Sequence, residues 1–183
     1  MSIMTSTDLV TAEQLEAIDI PGKRVELVRG HVVVREPPGP YHSVVALRLG
    51  RALDEFVQPR QLGIVGVEAG FKTASNPDTV RGPDVWFASN ARMGGEIPRS
   101  FAGFTPELVA EVVSPNDRRG EVMSKVGDWL GGGASLVWVI DPDRRIAQVC
   151  RSDGSLSLVN PDGALGGENV LPGFSCELRT LLP

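Results

Sequence analysis

Two acidic residues and one lysine stand out in this sequence, because each lies where a buried element is predicted. Asp84 opens the apolar segment 84–88 (DVWFA), and Glu111 lies inside the apolar run 108–113 (LVAEVV). Ionised carboxylates are costly in such strands unless a cation or hydrogen bonds compensate them. Lys125 follows on the next predicted helix. One hypothesis is therefore that Asp84 and Glu111 share a divalent metal ion, with Lys125 beside it.

The chemistry that this trio would support is the hydrolysis of a phosphate ester. Mg²⁺ is commonly held by one or two carboxylates together with water and phosphate oxygens. Such an ion polarises the phosphate and lowers the pKa of the attacking water. Lys125 would orient or deprotonate that water, or stabilise the charge of the transition state. A second interpretation stays open, in which Glu111 forms a buried salt bridge with Lys125 or Arg81 and holds no metal.

A hairpin and a long helix are predicted in the first third of the chain. Two β-rich runs separated by an Arg-Gly pair predict the hairpin over 25–34. Apolar residues at steps of three and four predict a helix over 41–57 with one buried stripe. His42 starts this stripe, so it is either a hydrogen-bonded core residue or part of the site.

The helix that carries Lys125 is predicted to run through Leu130. It starts either at Ser114, with proline at its first position, or a few residues later near Gly120. Helical spacing places Lys125 at the edge of the apolar stripe. From that edge a lysine side chain can run along the sheet and carry its ammonium group to the strand ends.

The remaining signals predict an α/β fold of α+β character. Strand signals run through 63–73, with Glu68 inside the run, and return in fully apolar form over 136–140. Segment 89–106 has few periodic signals and could carry a short helix. Short strands between turns predict a C-terminal β-meander over 151–183. We therefore expect a mixed central β-sheet flanked by helices, with an N-terminal hairpin and a C-terminal β-meander.

One domain is expected for residues 1–183, because the sequence has no evident linker, internal repeat or second core. It would comprise an N-terminal extension with a short capped helix over 1–20, a core over 25–150, and the meander.

The charge balance limits what the protein is expected to bind. A net charge of −5 argues against nonspecific coating of nucleic acid, which is driven by phosphate neutralisation. It leaves room for a small site where a metal and a few arginines supply the positive field, and Arg118 and Arg119 are candidates. No apolar run approaches the roughly 18 residues that span a membrane. Two widely spaced cysteines, Cys150 and Cys176, and the absence of a signal-peptide pattern fit a reducing cytoplasm.

Seven ordered blocks of this sequence resemble the Uma family (DUF820-type) of bacterial endonucleases, within the PD-(D/E)xK restriction-endonuclease-like superfamily. Together they extend from about Val25 to the end of the chain. The blocks are 26–30 (ELVRG), 40–42 (PYH), 81–85 (RGPDV), 108–115 (LVAEVVSP), Lys125, 137–142 (VWVIDP) and 171–174 (LPGF).

The resemblance implies a restriction-endonuclease-like core and a metal-dependent cleavage of DNA. Asp84 and Glu111 would be ligands of Mg²⁺ or Mn²⁺, with the Val112 carbonyl as a third ligand. Lys125 would be the catalytic lysine. The superfamily's plain pattern has its lysine two residues after the glutamate, where this chain has Val113, but the Uma family carries the lysine on the following helix.

Three further residues are weaker candidates for the site. Glu26 and His42 fall in matching blocks and would line the site as additional catalytic residues. Glu68 is a possible extra acid, although a solvent-facing place on a strand is the simpler interpretation.

The predicted function is that of a metal-dependent endonuclease that hydrolyses phosphodiester bonds in DNA. A homodimer is a reasonable expectation, because a single nuclease site cuts one strand at a time. Two alternatives stay open. One is a catalytically silent binding or structural module with the nuclease fold, in which the acids and the lysine form an ion-pair network. The other is a metal-dependent hydrolase of a small phosphate substrate.

Overall fold

The computed structural model describes residues 2–3, 9–115 and 117–183. Part of the predicted N-terminal extension therefore lies outside the described residues. The described chain forms five α-helices and thirteen β-strands. In chain order they are β1 (Ser2–Ile3), α1 (Ala12–Leu15), β2 (Arg24–Val28), β3 (His31–Arg35), α2 (Pro40–Val57), β4 (Gly63–Gly66), β5 (Phe71–Ala74), β6 (Thr79–Arg81), β7 (Val85–Ser89), α3 (Asn90–Met93), β8 (Leu108–Val112), α4 (Arg119–Gly131), β9 (Leu136–Asp141), β10 (Ile146–Arg151), β11 (Leu156–Val159), β12 (Ala164–Gly166), β13 (Ser175–Glu177) and α5 (Leu178–Leu181).

A mixed six-stranded sheet forms the centre of the fold, in the order β11-β10-β9-β8-β7-β4. Strands β8 and β9 are parallel and are joined through α4, whereas the other neighbours are antiparallel. The α/β fold with a mixed sheet is thereby confirmed. Strands β9, β10 and β11 form a meander at one side of the sheet, and β12 and β13 pair with each other separately.

The N-terminal hairpin is confirmed and belongs to a second sheet. Strands β2 and β3 pair with the register Val28↔His31, so only Arg29 and Gly30 form the turn. Both turn residues have positive φ, as a two-residue hairpin turn requires. The second sheet has the order β1-β3-β2-β6-β5.

Each face of the central sheet is buried by a different helix. Alternate side chains of a strand point to opposite faces, so β8 supplies both hydrophobic clusters. One cluster joins α2 and the C-terminal segment to one face and includes Leu49, Leu53, Ala110, Val112, Trp138 and Phe174. The other joins α4 to the opposite face and includes Trp86, Val109, Val126, Trp129 and Val137.

Two predicted strand boundaries differ from the structure, whereas the alternative start of the Lys125 helix near Gly120 is confirmed. The run 63–73 is two strands in different sheets. Glu68 lies between them with a φ of +52°, where the chain crosses from one sheet to the other, so its predicted place on a strand is wrong. Strand β7 begins one residue after Asp84. Helix α4 does not start at Ser114, because the Ser114 N–H binds the side chain of Asp117 in a turn.

Two further expectations concern single elements. The predicted short helix within 89–106 is α3, at Asn90–Met93. Within the described residues, no helix combines the length and the apolar character needed to cross a membrane.

Candidate active site

The predicted site residues line one cleft of about 950 Å³. Five of the polar lining residues are largely buried, and we call them the cleft floor: Glu26, His42, Asp84, Glu111 and Lys125. They come from β2, α2, the residue before β7, β8 and α4 respectively. Residues far apart in the sequence therefore meet at one place.

The register of the central sheet brings the two predicted metal ligands together. Val85 pairs with Ala110 across the antiparallel β7–β8 pair. Asp84 directly precedes Val85, and Glu111 directly follows Ala110. The two acids therefore lie side by side just beyond this pair. Strand alternation directs Glu111 to the face that α4 covers, beside Val109 and Val113.

Glu111 is held by two residues of α4 that are one turn apart. The Lys125 ammonium donates to Glu111 Oε2 at 2.7 Å, and the Trp129 indole N–H donates to Oε1 at 2.7 Å. Residues four apart lie on the same helix face, which explains why both side chains reach one carboxylate. Lys125 also donates to the Gly82 carbonyl at 2.7 Å and lies 3.4 Å from Glu26.

Asp84 has three donors distributed unevenly over its two oxygens. Oδ2 accepts from the Val112 backbone N–H at 2.7 Å and lies 3.0 Å from His42 Nε2. Oδ1 accepts from the Arg24 guanidinium at 3.3 Å. Burial raises the pKa of Asp84, but the hydrogen bond from His42 and the charge of Lys125 outweigh it, so the pKa is lowered.

The negative charge of Glu26 has more cationic partners than that of Asp84 or Glu111. It accepts from the Gly82 N–H at 3.1 Å, from Arg81 at 3.0 Å and from Arg35 at 3.2 Å. Burial raises the pKa of this carboxyl, but the charges of Lys125, Arg81 and Arg35 outweigh it and lower the pKa to about 2. Glu26 is therefore a charged residue that holds the surrounding cations in place.

Glu111 differs from Glu26, although both lie near Lys125. Burial is the largest influence and raises the pKa of Glu111 to about 7, with a further contribution from the charge of Asp84 and opposition from Lys125. Burial lowers the pKa of Lys125, but the charges of Glu111, Glu26 and Asp84 outweigh this, so its pKa is raised. Near neutral pH the floor therefore combines the charged Lys125 with the partly ionised carboxyl of Glu111.

The oxygen donors on the floor suit a hard divalent cation. Asp84 and Glu111 are anionic oxygen ligands, and Asp84 Oδ1 and both oxygens of Glu111 each have a single donor in the described part of the chain, so each keeps a lone pair for a metal ion. Among the described residues no group of three or more His, Cys, Asp and Glu side chains could hold a metal ion. Mg²⁺ is often bound by only one or two carboxylates with water and phosphate oxygens, so the pair fits that mode of binding.

The structure places the remaining candidates around this floor. His42 is buried and bonds Asp84, so it is both a core residue and a neighbour of the predicted ligands. Glu68 is exposed and lies 3.9 Å from Arg24. Arg118 lines the cleft, whereas Arg119 is not among its lining residues.

Sequence reasoning missed Arg24 and Trp129 as residues of the site. Trp129 belongs to the apolar stripe of α4, and its spacing of four from Lys125 is a signal that both side chains could reach one acid. For Arg24 we find no such signal, because its contact with Asp84 joins residues 60 positions apart in different sheets.

Comparison with known proteins agrees with this fold. Residues 11–180 match the Uma2 family, whose description is "Putative restriction endonuclease". A solved structure from Anabaena variabilis ATCC 29413, described as "a putative nuclease belonging to DUF820", superposes with a TM-score of 0.83. It is 19% identical and the match covers 94% of this chain and 97% of that chain, so the likeness is one of fold. No curated protein matches the chain. The family match spans nearly the whole sequence, and this chain therefore belongs to the Uma2 family.

Proposed function

We propose that this chain is a metal-dependent endonuclease that cleaves DNA within the cleft. In this proposal Asp84, Glu111 and the Val112 carbonyl hold Mg²⁺ or Mn²⁺, and Lys125 is the catalytic lysine. The observation that carries the proposal is the meeting of two buried acids and a buried lysine in one cleft. Family membership supports DNA as the substrate.

A bound metal ion would polarise the phosphate and lower the pKa of the attacking water. The chain's own residues have separate tasks around that reaction. Lys125 donates hydrogen bonds to the attacking water or to the developing negative charge on the phosphate. His42 and the Val112 N–H fix the orientation of Asp84 through Oδ2. Glu26 keeps Lys125 charged and positioned, because it remains ionised near neutral pH.

Cleavage of a panel of DNA forms tests the proposal directly. Supercoiled, linear, single-stranded and branched DNA would be incubated with Mg²⁺ or Mn²⁺. We expect cleavage of at least one form, and loss of that cleavage in Asp84→Asn and Glu111→Gln. The exposed Glu55→Gln is the matched control, because Glu55 pairs with Arg51 alone among the described residues, on the outer face of α2. No cleavage by the unaltered protein, or equal cleavage by the two acid variants, would refute the proposal.

A second function, a catalytically silent binding module, is favoured by one observation. Lys125 is already paired with Glu111 and Glu26, and Arg81 with Glu26 and Asp128, so the floor is compensated without a metal. This alternative predicts that the protein binds DNA equally well with and without Mn²⁺ and does not cleave it. The endonuclease proposal predicts that cleavage requires the metal.

We also propose that cleavage of both strands of a duplex uses two copies of the chain, since one site cuts one strand at a time. Light scattering on the protein with and without duplex DNA tests this point. A monomer in both conditions that still produces double-strand breaks would contradict it.

A further inference from the structure

We infer that Arg24 is a positioning residue that holds Asp84 in the metal-free chain and exchanges that contact for a substrate phosphate when the metal binds. The inference rests on the proposed function, because it requires Asp84 to be a metal ligand. Arg24 has no role in the sequence blocks that resemble the family, and its place is defined by contacts in the structure alone.

The contacts of Asp84 identify which of its oxygens can change partner. Oδ2 is fixed by two groups of the protein interior, the Val112 backbone N–H and His42. Oδ1 accepts only from Arg24 among the described residues, at the longer distance of 3.3 Å. A cation that approaches Asp84 from the cleft would therefore compete with the Arg24 guanidinium for Oδ1.

Among the cations that contact the acids of the cleft floor, Arg24 can break its contact most easily. Its side chain is 27% exposed and lines the cleft, whereas Lys125 is 12% exposed and Arg81 only 4%. Arg35 is similarly exposed at 25%, but it lies against Glu26 and Glu121 and makes no contact with Asp84. Exposure and contact with the ligand acid therefore coincide only at Arg24.

The neighbouring acid Glu68 would keep the Arg24 guanidinium at the cleft after it leaves Asp84. Glu68 Oε1 lies 3.9 Å from Arg24, and the Glu68 backbone is anchored by a hydrogen bond from its N–H to the Pro83 carbonyl. Like charges repel strongly at short distance, so a divalent ion on Asp84 would drive Arg24 away from Oδ1. A guanidinium released beside the metal is well suited to a phosphate, which it binds through two parallel hydrogen bonds.

Calorimetric titration with Mn²⁺ tests the first half of the inference. Charge-assisted hydrogen bonds contribute roughly 1.5–3 kcal/mol, so we expect Arg24→Gln to bind Mn²⁺ about tenfold more tightly than the unaltered protein. Arg24→Met should behave likewise, because it keeps the aliphatic part of the side chain, and it serves if Arg24→Gln folds poorly. Arg24→Lys should restore weaker binding. Lys23→Gln is the matched control, since it removes a partly exposed cleft cation whose ion pair is with Glu36 and not with a residue of the cleft floor.

Fluorescence anisotropy of a labelled oligonucleotide tests the second half. With Ca²⁺ in place of Mg²⁺, we expect Arg24→Gln to bind DNA about tenfold more weakly, because it loses a charged phosphate contact. Tighter Mn²⁺ binding together with weaker DNA binding supports the inference, and a purely structural arginine would not produce this opposite pair of changes.

The outcomes separate this inference from the proposed function. If the unaltered protein has no Mn²⁺ site that depends on Asp84, the proposed function fails. If that site exists but Arg24→Gln binds Mn²⁺ no more tightly, or no more tightly than Lys23→Gln does, the exchange of Arg24 is refuted. Unchanged DNA binding in Arg24→Gln would refute its contact with phosphate.

Discussion

Glu26 and Glu111 lie in the same buried floor but have opposite protonation behaviour. Glu26 is surrounded by three cations and a backbone N–H, which together outweigh the effect of its burial. Glu111 has Lys125 as its charged partner and lies beside the charge of Asp84, so burial prevails. The first residue therefore stabilises the fold as a fixed charge, while the second can change its charge near neutral pH.

The low pKa of Glu26 predicts a specific loss of stability in acid. A folded-state pKa of about 2 lies below the ordinary value of 4.5. Its contribution to the free energy of unfolding is therefore complete above pH 4.5 and is lost as the pH falls towards 2. This shift corresponds to about 3 kcal/mol. We expect Glu26→Gln to be less stable than the unaltered protein by about that amount near pH 6, and much closer to it near pH 2.5.

Urea unfolding at a series of pH values measures this difference. Glu55→Gln is the control, because Glu55 is exposed and its pair with Arg51 lies within one helix face. A difference between Glu26→Gln and the unaltered protein that stays constant from pH 6 to pH 2.5 would contradict the assignment of Glu26 as a charged anchor.

The raised pKa of Glu111 predicts pH-dependent metal binding. A metal ligand must lose its proton, and Glu111 does so with a pKa of about 7. Mn²⁺ affinity should therefore rise about tenfold per pH unit below 7 and level off above it. Calorimetric titrations between pH 5.5 and pH 8 would measure the trend. A flat profile would mean that Glu111 is not the titrating ligand.

At the scale of elements, the unit β8–α4–β9 determines the geometry of the site. Its parallel strands and the covering helix place Glu111 under Lys125, and this arrangement could be predicted from the sequence. Alternation along an apolar strand sets the face of Glu111, and helical spacing places Lys125 at the edge of the apolar stripe. Both signals are local, because each depends on one repeating element.

The parts that could not be predicted depend on contacts between distant elements. Glu68 was expected on a strand because apolar residues surround it, but the chain leaves one sheet there and enters another. The contact of Arg24 with Asp84 depends on how the second sheet packs against the central one. Nothing in the local pattern of either residue reports that packing.

Substitutions at two glycines test the secondary structure assigned to α4 and β4. Gly127 lies in the exposed interior of α4 with open space where a side chain would begin. Gly127→Ala should therefore stabilise the protein by about 0.5–1 kcal/mol, because alanine loses less conformational freedom in a helix.

Gly63 on β4 is the contrasting position. A Cβ atom there would lie 2.1 Å from the Ala88 carbonyl oxygen on the paired strand β7. Gly63→Ala should destabilise the protein by about 2 kcal/mol, since the backbone must shift. Urea unfolding of both variants measures the two effects. Equal effects of the two substitutions would contradict the pairing of β4 with β7 or the helical state of residue 127.

At the scale of the whole molecule, the proposed function requires an acidic protein to bind a polyanion through a small basic surface. The net charge is −5, but the cleft is lined by five cationic side chains, Lys23, Arg24, Arg35, Arg118 and Lys125. If binding uses only these five cations, the logarithm of DNA affinity should fall with the logarithm of salt concentration with a slope no steeper than about −5. Anisotropy titrations over a range of NaCl concentrations would give the slope. A value near −10 would indicate a DNA surface far larger than the cleft.

The most direct test of the account is a calorimetric titration of Mn²⁺ into the unaltered protein, Asp84→Asn, Glu111→Gln and the control Glu55→Gln. Thermal unfolding of each variant would establish that it is folded. The account predicts one Mn²⁺ site in the unaltered protein and in Glu55→Gln, and loss of that site in both floor variants. Absence of a site in the unaltered protein, or an equal affinity in all four proteins, would contradict the claim that Asp84 and Glu111 share a metal ion.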